Sequence, residues 1–210
     1  PAYWLPAVQG SQAVLEIELP AGVSASAVRL AVAQVSHLWV APQSPEAMTT
    51  KIGEAGSCNL DATCSPEYDA AARSVARMVF VNDGDAYLCS GTLLADAPAS
   101  GRPFFLTANH CISDEATAAS LSTYWFYSSS ACSSNVLTPR ATPLHGGATL
   151  RFTSTDSDVT LLELAEPPPV GALYSGSILG TVPAGVPVSG LHHPAGDLLK
   201  LSMGDVVGYA

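Results

Sequence analysis

At 210 residues, 48% of them hydrophobic, the chain has material for one large or two small domains with a buried core. Its net charge of −10, with only two lysines (Lys51 and Lys200) beside six arginines, repels a phosphate backbone and argues against a nucleic-acid partner. No uninterrupted apolar run of 18 residues occurs, so the sequence predicts no membrane-spanning helix.

The first residues, "PAYWLPAVQGSQ", lack the basic start and apolar stretch of a signal peptide, and a chain beginning at Pro1 leaves any export signal upstream. Two strand-like runs follow, "AVLEIEL" at 13–19 and "AVRLAVAQVSHLWV" at 27–40, separated by Pro20-Ala21-Gly22. In the first, Leu15, Ile17 and Leu19 alternate with Glu16 and Glu18, the pattern of a half-exposed antiparallel strand. The stretch 41–57, "APQSPEAMTTKIGEAGS", has no periodic apolar face and reads as a linker or processing segment.

From Cys58 onward the pattern becomes that of many short strands. "SPEYDAAARSVARM" at 65–78 has room for one short helix. "ARMVFV" (76–81) and "AYLCSGTLL" (86–94) flank Asn82-Asp83-Gly84-Asp85, and the Asp-Gly pair predicts a hairpin. Further runs lie at 104–108, 122–127, 148–152, 158–164, 186–193 and 198–203. Such a series, with Gly and Pro between its members, predicts an all-β barrel or sandwich.

Cys58, Cys64, Cys89, Cys111 and Cys132 include no C-x-x-C pair, which disfavours a zinc knuckle or a thioredoxin-type site and favours disulfides. Disulfides place the protein in an oxidising compartment outside the cytosol. Five is odd, so one cysteine lacks a partner within the chain or pairs beyond it.

The stretch "FLTANHC" at 105–111 sets a histidine beside a cysteine at the end of an apolar run. A metal site is disfavoured: His37, His145, His192 and His193 are scattered, and adjacent strand residues such as His192 and His193 point to opposite faces, one packed and one exposed. A general base needs a carboxylate to hold the imidazole in one tautomer and a nucleophile on its other nitrogen. Asp158 at the mouth of "DVTLLEL", drawn partly inside, suits the carboxylate role; a turn cap is the plainer alternative, and on spacing Asp156 serves as well.

"FLTANHC" resembles the "LTAAHC" segment that carries the catalytic histidine of chymotrypsin-like serine proteases. "CSGTLL" (89–94) resembles the strand before it, and "DSDVTLLEL" (156–164) the segment of the triad aspartate. Together with "GSCNLDATC" (56–64), "YWFYSSSAC" (124–132) and "GLHHPAGDLLKLS" (190–202), these motifs are similar in order to bacterial lysyl endopeptidases over residues 56–205. The resemblance implies an all-β, chymotrypsin-like double β-barrel, the first barrel and part of the second, after a short β-rich propeptide remnant. It divides the chain into a propeptide end at 1–41, a processing region at 42–57 with Lys51-Ile52 as the attractive cut, and an incomplete protease domain at 58–210. It implies His110 and Asp158 as catalytic residues, disulfides Cys89–Cys111 and Cys64–Cys132, and a bond from Cys58 to a cysteine beyond Ala210.

The implied activity is a secreted serine endopeptidase acting on protein or peptide substrates, with no cofactor and a preference after lysine or another basic residue. The sequence holds no "G-D-S-G-G"-like nucleophile loop; Ser175, Ser177 and Ser189 adjoin glycine after Asp158, and none sits in such a loop. The expectation is therefore that the serine lies on a carboxyl-terminal remainder and that this chain is inactive alone. A catalytically inactive protease-like binding module is the alternative. An extracellular adhesion or structural protein explains the strands and cysteines but not the three ordered motifs.

Overall fold

The computed structural model describes residues 11–32, 49–178 and 180–209, with residues 5, 8 and 35. Among the described residues ten strands form: β1 (Leu60–Asp61), β2 (Val75–Asn82), β3 (Asp85–Leu94), β4 (Phe104–Thr107), β5 (Ser122–Trp125), β6 (Thr142–Leu144), β7 (Ala148–Ser154), β8 (Val159–Leu164), β9 (Pro187–His192) and β10 (Lys200–Asp205). Among the described residues two short α-helices lie between strands, α1 (Asp69–Ala72) and α2 (Glu115–Ala119). Asp114 caps α2 by accepting from the Thr117 amide.

The strands form two antiparallel sheets. One has seven strands in the order β6-β5-β2-β3-β4-β8-β7, the other three in the order β1-β10-β9. The expected hairpin joins β2 to β3: Asn82 pairs with Asp85, and Asp83 and Gly84 both take positive φ (50° and 92°), as a primed two-residue turn requires. The all-β, antiparallel class read from the sequence is therefore the observed one.

Strand β2 is covered on both faces, which explains why "ARMVFV" reads as a continuous apolar run rather than an alternating one. Ala76, Met78 and Phe80 point into the main core with Leu93, Phe105, Ile112, Leu121, Trp125 and Leu162. Phe105 and Trp125 meet edge to face at 5.9 Å, both fully buried. On the opposite face Val75 packs with Leu199 and Leu201 of the second sheet, and buried Arg77 lies over Tyr127 (4.8 Å) and Tyr124 (5.4 Å). Burial of Tyr124 pushes its phenol up to about 12 despite that guanidinium.

Histidines 192 and 193 separate onto opposite faces. His193 is buried against Tyr127, its Nδ1–H donates to the Asp197 carbonyl, and desolvation holds its pKa down to about 3. His192 is half-buried and hydrogen bonds to Asn59 and Ser202.

The amino-terminal expectations are corrected. Residues 13–19 form no strand: Val14, Leu15 and Ile17 are exposed, and no ladder partner lies alongside them among the described residues. Alternation supplies two faces but not the neighbouring chain that must satisfy the backbone. At the start of the second run, a 3-10 turn at Ala25–Ala27, capped by Ser24, takes in its first residue, and residues 28–32 are not in a strand, while most of 33–40 lies outside the described residues. The described part of the segment read as a linker, 49–57, is turn-rich and pinned to the body: the amides of Gly53 and Ala55 each donate to Asp197 at 3.0 Å.

Removing the Phe105 ring leaves a void beside Trp125 in the main core. Phe105→Ala should destabilise the domain by about 3–5 kcal/mol in denaturant titration with the disulfides intact; a loss under about 1 kcal/mol would contradict this packing.

Candidate active site

Strand β4 delivers His110. Its residues alternate, Phe105 and Thr107 inward, and Thr107 Oγ1 donates to the Ser90 carbonyl of β3 at 3.0 Å. After Thr107 the chain leaves the ladder in one tight turn, with the amides of Cys111 and Ile112 both donating to the Ala108 carbonyl. The turn sends Ile112 into the core and Cys111 into its disulfide, leaves Asn109 half-buried and turns His110 outward.

Strand β8 delivers Asp158, just before Val159, where the backbone takes the left-handed conformation (φ 49°). Asp158 grips His110 twice. Oδ1 accepts from the His110 backbone amide at 2.9 Å, and Oδ2 lies 2.7 Å from Nδ1 of the ring. A carboxylate accepts only, so Nδ1 carries the proton and Nε2 is left as the basic nitrogen. The His110 amide and ring bonds hold the Asp158 carboxyl below the usual aspartate range. Asp156, two residues earlier, has no bond to the imidazole.

The expectation that the carboxylate is drawn inside is corrected: the Asp158 side chain is 53% exposed and that of His110 71%. Asp158 precedes the first paired residue of β8, so its side chain stands on the rim beside a shallow cleft whose walls include Ser90, Thr107, Ala108 and Leu191.

Behind the pair runs a chain of polar contacts the sequence did not announce. Asn109 Nδ2 donates to Thr153 Oγ1 (2.7 Å), Thr153 and Thr160 share a hydroxyl contact (2.6 Å), and Thr160 Oγ1 donates to the Ile112 carbonyl (2.7 Å). The available signal was Asn109 itself, an amide where "LTAAHC" has alanine.

Cys89 and Cys111 form one disulfide, across 22 residues, and Cys64 and Cys132 another, across 68. By loop entropy each contributes about 3–4 kcal/mol. Cys58 is free and exposed. Ligand atoms of Cys89, His110 and Cys111 lie within 4.8 Å of one another, but the two sulfurs are spent on their own bond rather than offered as thiolates. His145 bonds to Ser122; His37 lies outside the described residues.

Among the described residues no serine is bonded to His110. Ser175 Oγ contacts Ser74 at 2.7 Å, Ser189 on β9 contacts the Tyr68 hydroxyl at 2.8 Å, and Ser177 is exposed.

An antiparallel all-β domain with a histidine and an aspartate joined at the rim of neighbouring strands is the arrangement of the chymotrypsin-like proteases. The chain belongs to the lysyl endopeptidase family: residues 52–210 match the family model described as "Lysyl endopeptidase, C-terminal domain", and residues 1–39 match "Lysyl endopeptidase N-terminal domain". It is 37% identical over 213 aligned positions to a lysyl endopeptidase of Pseudomonas aeruginosa, covering 97% of this chain and 46% of that protein, so it spans about half the relative's length. A solved structure of a scabies mite inactivated protease paralogue is similar with a TM-score of 0.46 and 19% identity, over 66% of this chain and 63% of that one.

Because the Asp158 pKa lies below 3.8, the stabilisation from its contact with His110 is fully present above pH 3.8 and is lost as pH falls through the lowered value. In a carbon-detected NMR titration the Asp158 carboxyl should have its midpoint below 3.8, and His110→Ala, which removes the ring bond but keeps the backbone amide, should return it only part of the way; an unshifted midpoint in the parent protein would show that the pair does not form.

Proposed function

We propose that this chain is the amino-terminal part of a secreted serine endopeptidase that cleaves peptide bonds by acyl transfer, after lysine or another basic residue. The observation that carries the reading is the double grip of Asp158 on His110, because it fixes the imidazole as a base with Nε2 directed away from the carboxylate. His110 Nε2 takes the proton of a serine hydroxyl as it attacks the scissile carbonyl, then returns it to the leaving amine. Asp158 keeps the tautomer and stabilises the imidazolium between those steps; water then releases the acyl group by the same route. Protein or peptide chains are the substrates, and each step needs only side chains and water.

The serine is assigned to chain following residue 210, a carboxyl-terminal remainder that also supplies the partner of Cys58. Supporting this are the 46% coverage of the relative and the free Nε2 of His110 among the described residues. The chain alone is then inactive. The family names support cleavage after lysine. Secretion is supported by two disulfides in a chain with few lysines; among the described residues no helix is long and apolar enough to cross a membrane.

Residues 1–41 are assigned to the end of a propeptide, 42–57 to the processing region and 58–210 to the protease domain, a division supported by the separate matches at 1–39 and 52–210. Amino-terminal sequencing of the mature secreted form should read a start between Ile52 and Ser57, with Ile52 the expected residue; a start at Pro1 sinks the assignment.

The full-length gene product should react with a fluorophosphonate probe. His110→Ala should abolish that labelling, and Asp158→Asn should lower kcat by about four orders of magnitude with its disulfides intact. A folded full-length protein that takes up no probe would instead favour an inactive binding module.

A further inference from the structure

The processing bond itself is held in a conformation that a protease cannot use. A protease needs its substrate extended, with the scissile carbonyl free to be polarised and the flanking side chains free to enter pockets. At Lys51-Ile52 the backbone is not extended, the scissile carbonyl is not free and the Ile52 side chain is packed. The Lys51 carbonyl accepts from the Glu54 amide and the Ile52 amide donates to the Thr49 carbonyl, so both sides of the bond are closed in a tight turn. The Lys51 ammonium is bridged to Glu54 at 2.9 Å, and the Ile52 side chain packs against Tyr124, Tyr127 and Leu198.

What keeps the turn docked is Asp197, a carboxylate with no exposed surface. Oδ1 accepts from the Gly53 amide (3.0 Å) and the Leu198 amide (2.6 Å), and Oδ2 accepts from the Ala55 amide (3.0 Å). Lys200 Nζ lies 3.7 Å from Oδ2 and is itself buried. Gly53 presents its amide with φ at +89°, where a side chain would be strained. A buried carboxylate satisfied by three amides and a cation is costly to uncover, so detaching the strap means giving up the Gly53 and Ala55 bonds together.

We propose that Lys51-Ile52 is a gated cleavage site, closed by its own turn and by the Asp197 clasp, and cut only when residues 49–56 detach together. The inference rests on the processing assignment above. Hydrolysis adds water across the bond, hydroxyl to the Lys51 carbonyl carbon and protons to the Ile52 nitrogen, giving a carboxylate and an ammonium. The rate is the peptide's own rate multiplied by the fraction of molecules open.

The test uses the full-length precursor carrying His110→Ala, so that it does not cut itself, and an added protease that cleaves after lysine. Cleavage at Lys51-Ile52, followed by mass spectrometry, should be about 100-fold or more slower than in a synthetic peptide of residues 46–58. Asp197→Asn, which leaves one acceptor oxygen where three amides converge, should speed it by about 10-fold or more. Cutting of the parent precursor at the peptide's rate overturns the gate, and slow cutting unchanged by a folded Asp197→Asn variant overturns the role of Asp197. Should that variant not fold, the Gly53 and Ala55 amides of the parent precursor must exchange with deuterium as slowly, relative to the peptide, as the bond is cut; fast exchange overturns the clasp. A mature form starting elsewhere than Ile52 removes the processing assignment while leaving the measured gate intact, so the two fail separately.

Discussion

The geometry of the site depends on the register of β4 against β8. Phe105 faces Leu162 and Thr107 faces Thr160. From Thr107 the chain needs three residues to reach His110, and Asp158 lies two residues before Thr160, so the pairing brings the base and its carboxylate to the same rim. A slip of one residue would turn Phe105 and Leu162 out of the core, and the hydrophobic cost of that exchange locks the register. The core thus fixes a polar contact that is itself open to solvent.

Much of this was legible in the sequence because β strands announce themselves through apolar runs bounded by turn formers. The eight longer runs from Cys58 onward became strands, with ends shifted by one or two residues. Two pieces escaped: β1 is only two residues long, and β6 has a proline at its centre, leaving neither enough pattern to read. The reading of 13–19 failed in the opposite sense, since alternation describes the faces of a strand and carries no information about whether another chain lies beside it. Asp156 and Asp158 could not be separated by spacing, because what distinguishes them is a single left-handed residue at the entrance to β8. Asp197 was hidden for another reason: an acid after glycine in "PAGDLLK" looks like an ordinary turn residue, and only the fold reveals three amides converging on it.

The two sheets meet at β2, and the contact is unusually polar. Arg77, His193, Asp197 and Lys200 are all buried, with Arg77 over Tyr124 and Tyr127, His193 against Tyr127, and Lys200 beside Asp197. Their charges are handled differently. Arg77 rests on aromatic faces, Asp197 collects amides, and His193 stays neutral because its ring has been taken out of water. His193 also reaches the active-site side, since its amide donates to Ser90 Oγ while the Ser90 carbonyl receives Thr107. Continuous hydrogen bonding therefore joins the strap at residues 53–55 to the strand that carries His110.

The pairing of Leu60 with Leu201 has a consequence for how the molecule is made. Strand β1 belongs to the sheet completed last, although it emerges from the ribosome before any strand of the larger sheet. The strands of the larger sheet are contained in residues 75–164, so that sheet can assemble while β1 waits for β10 without a neighbour. Closing a loop of that length costs entropy, so docking of the second sheet is expected late in folding. Until it occurs Arg77 faces water, and the face of β2 that will hold the second sheet is open to any other apolar segment in reach.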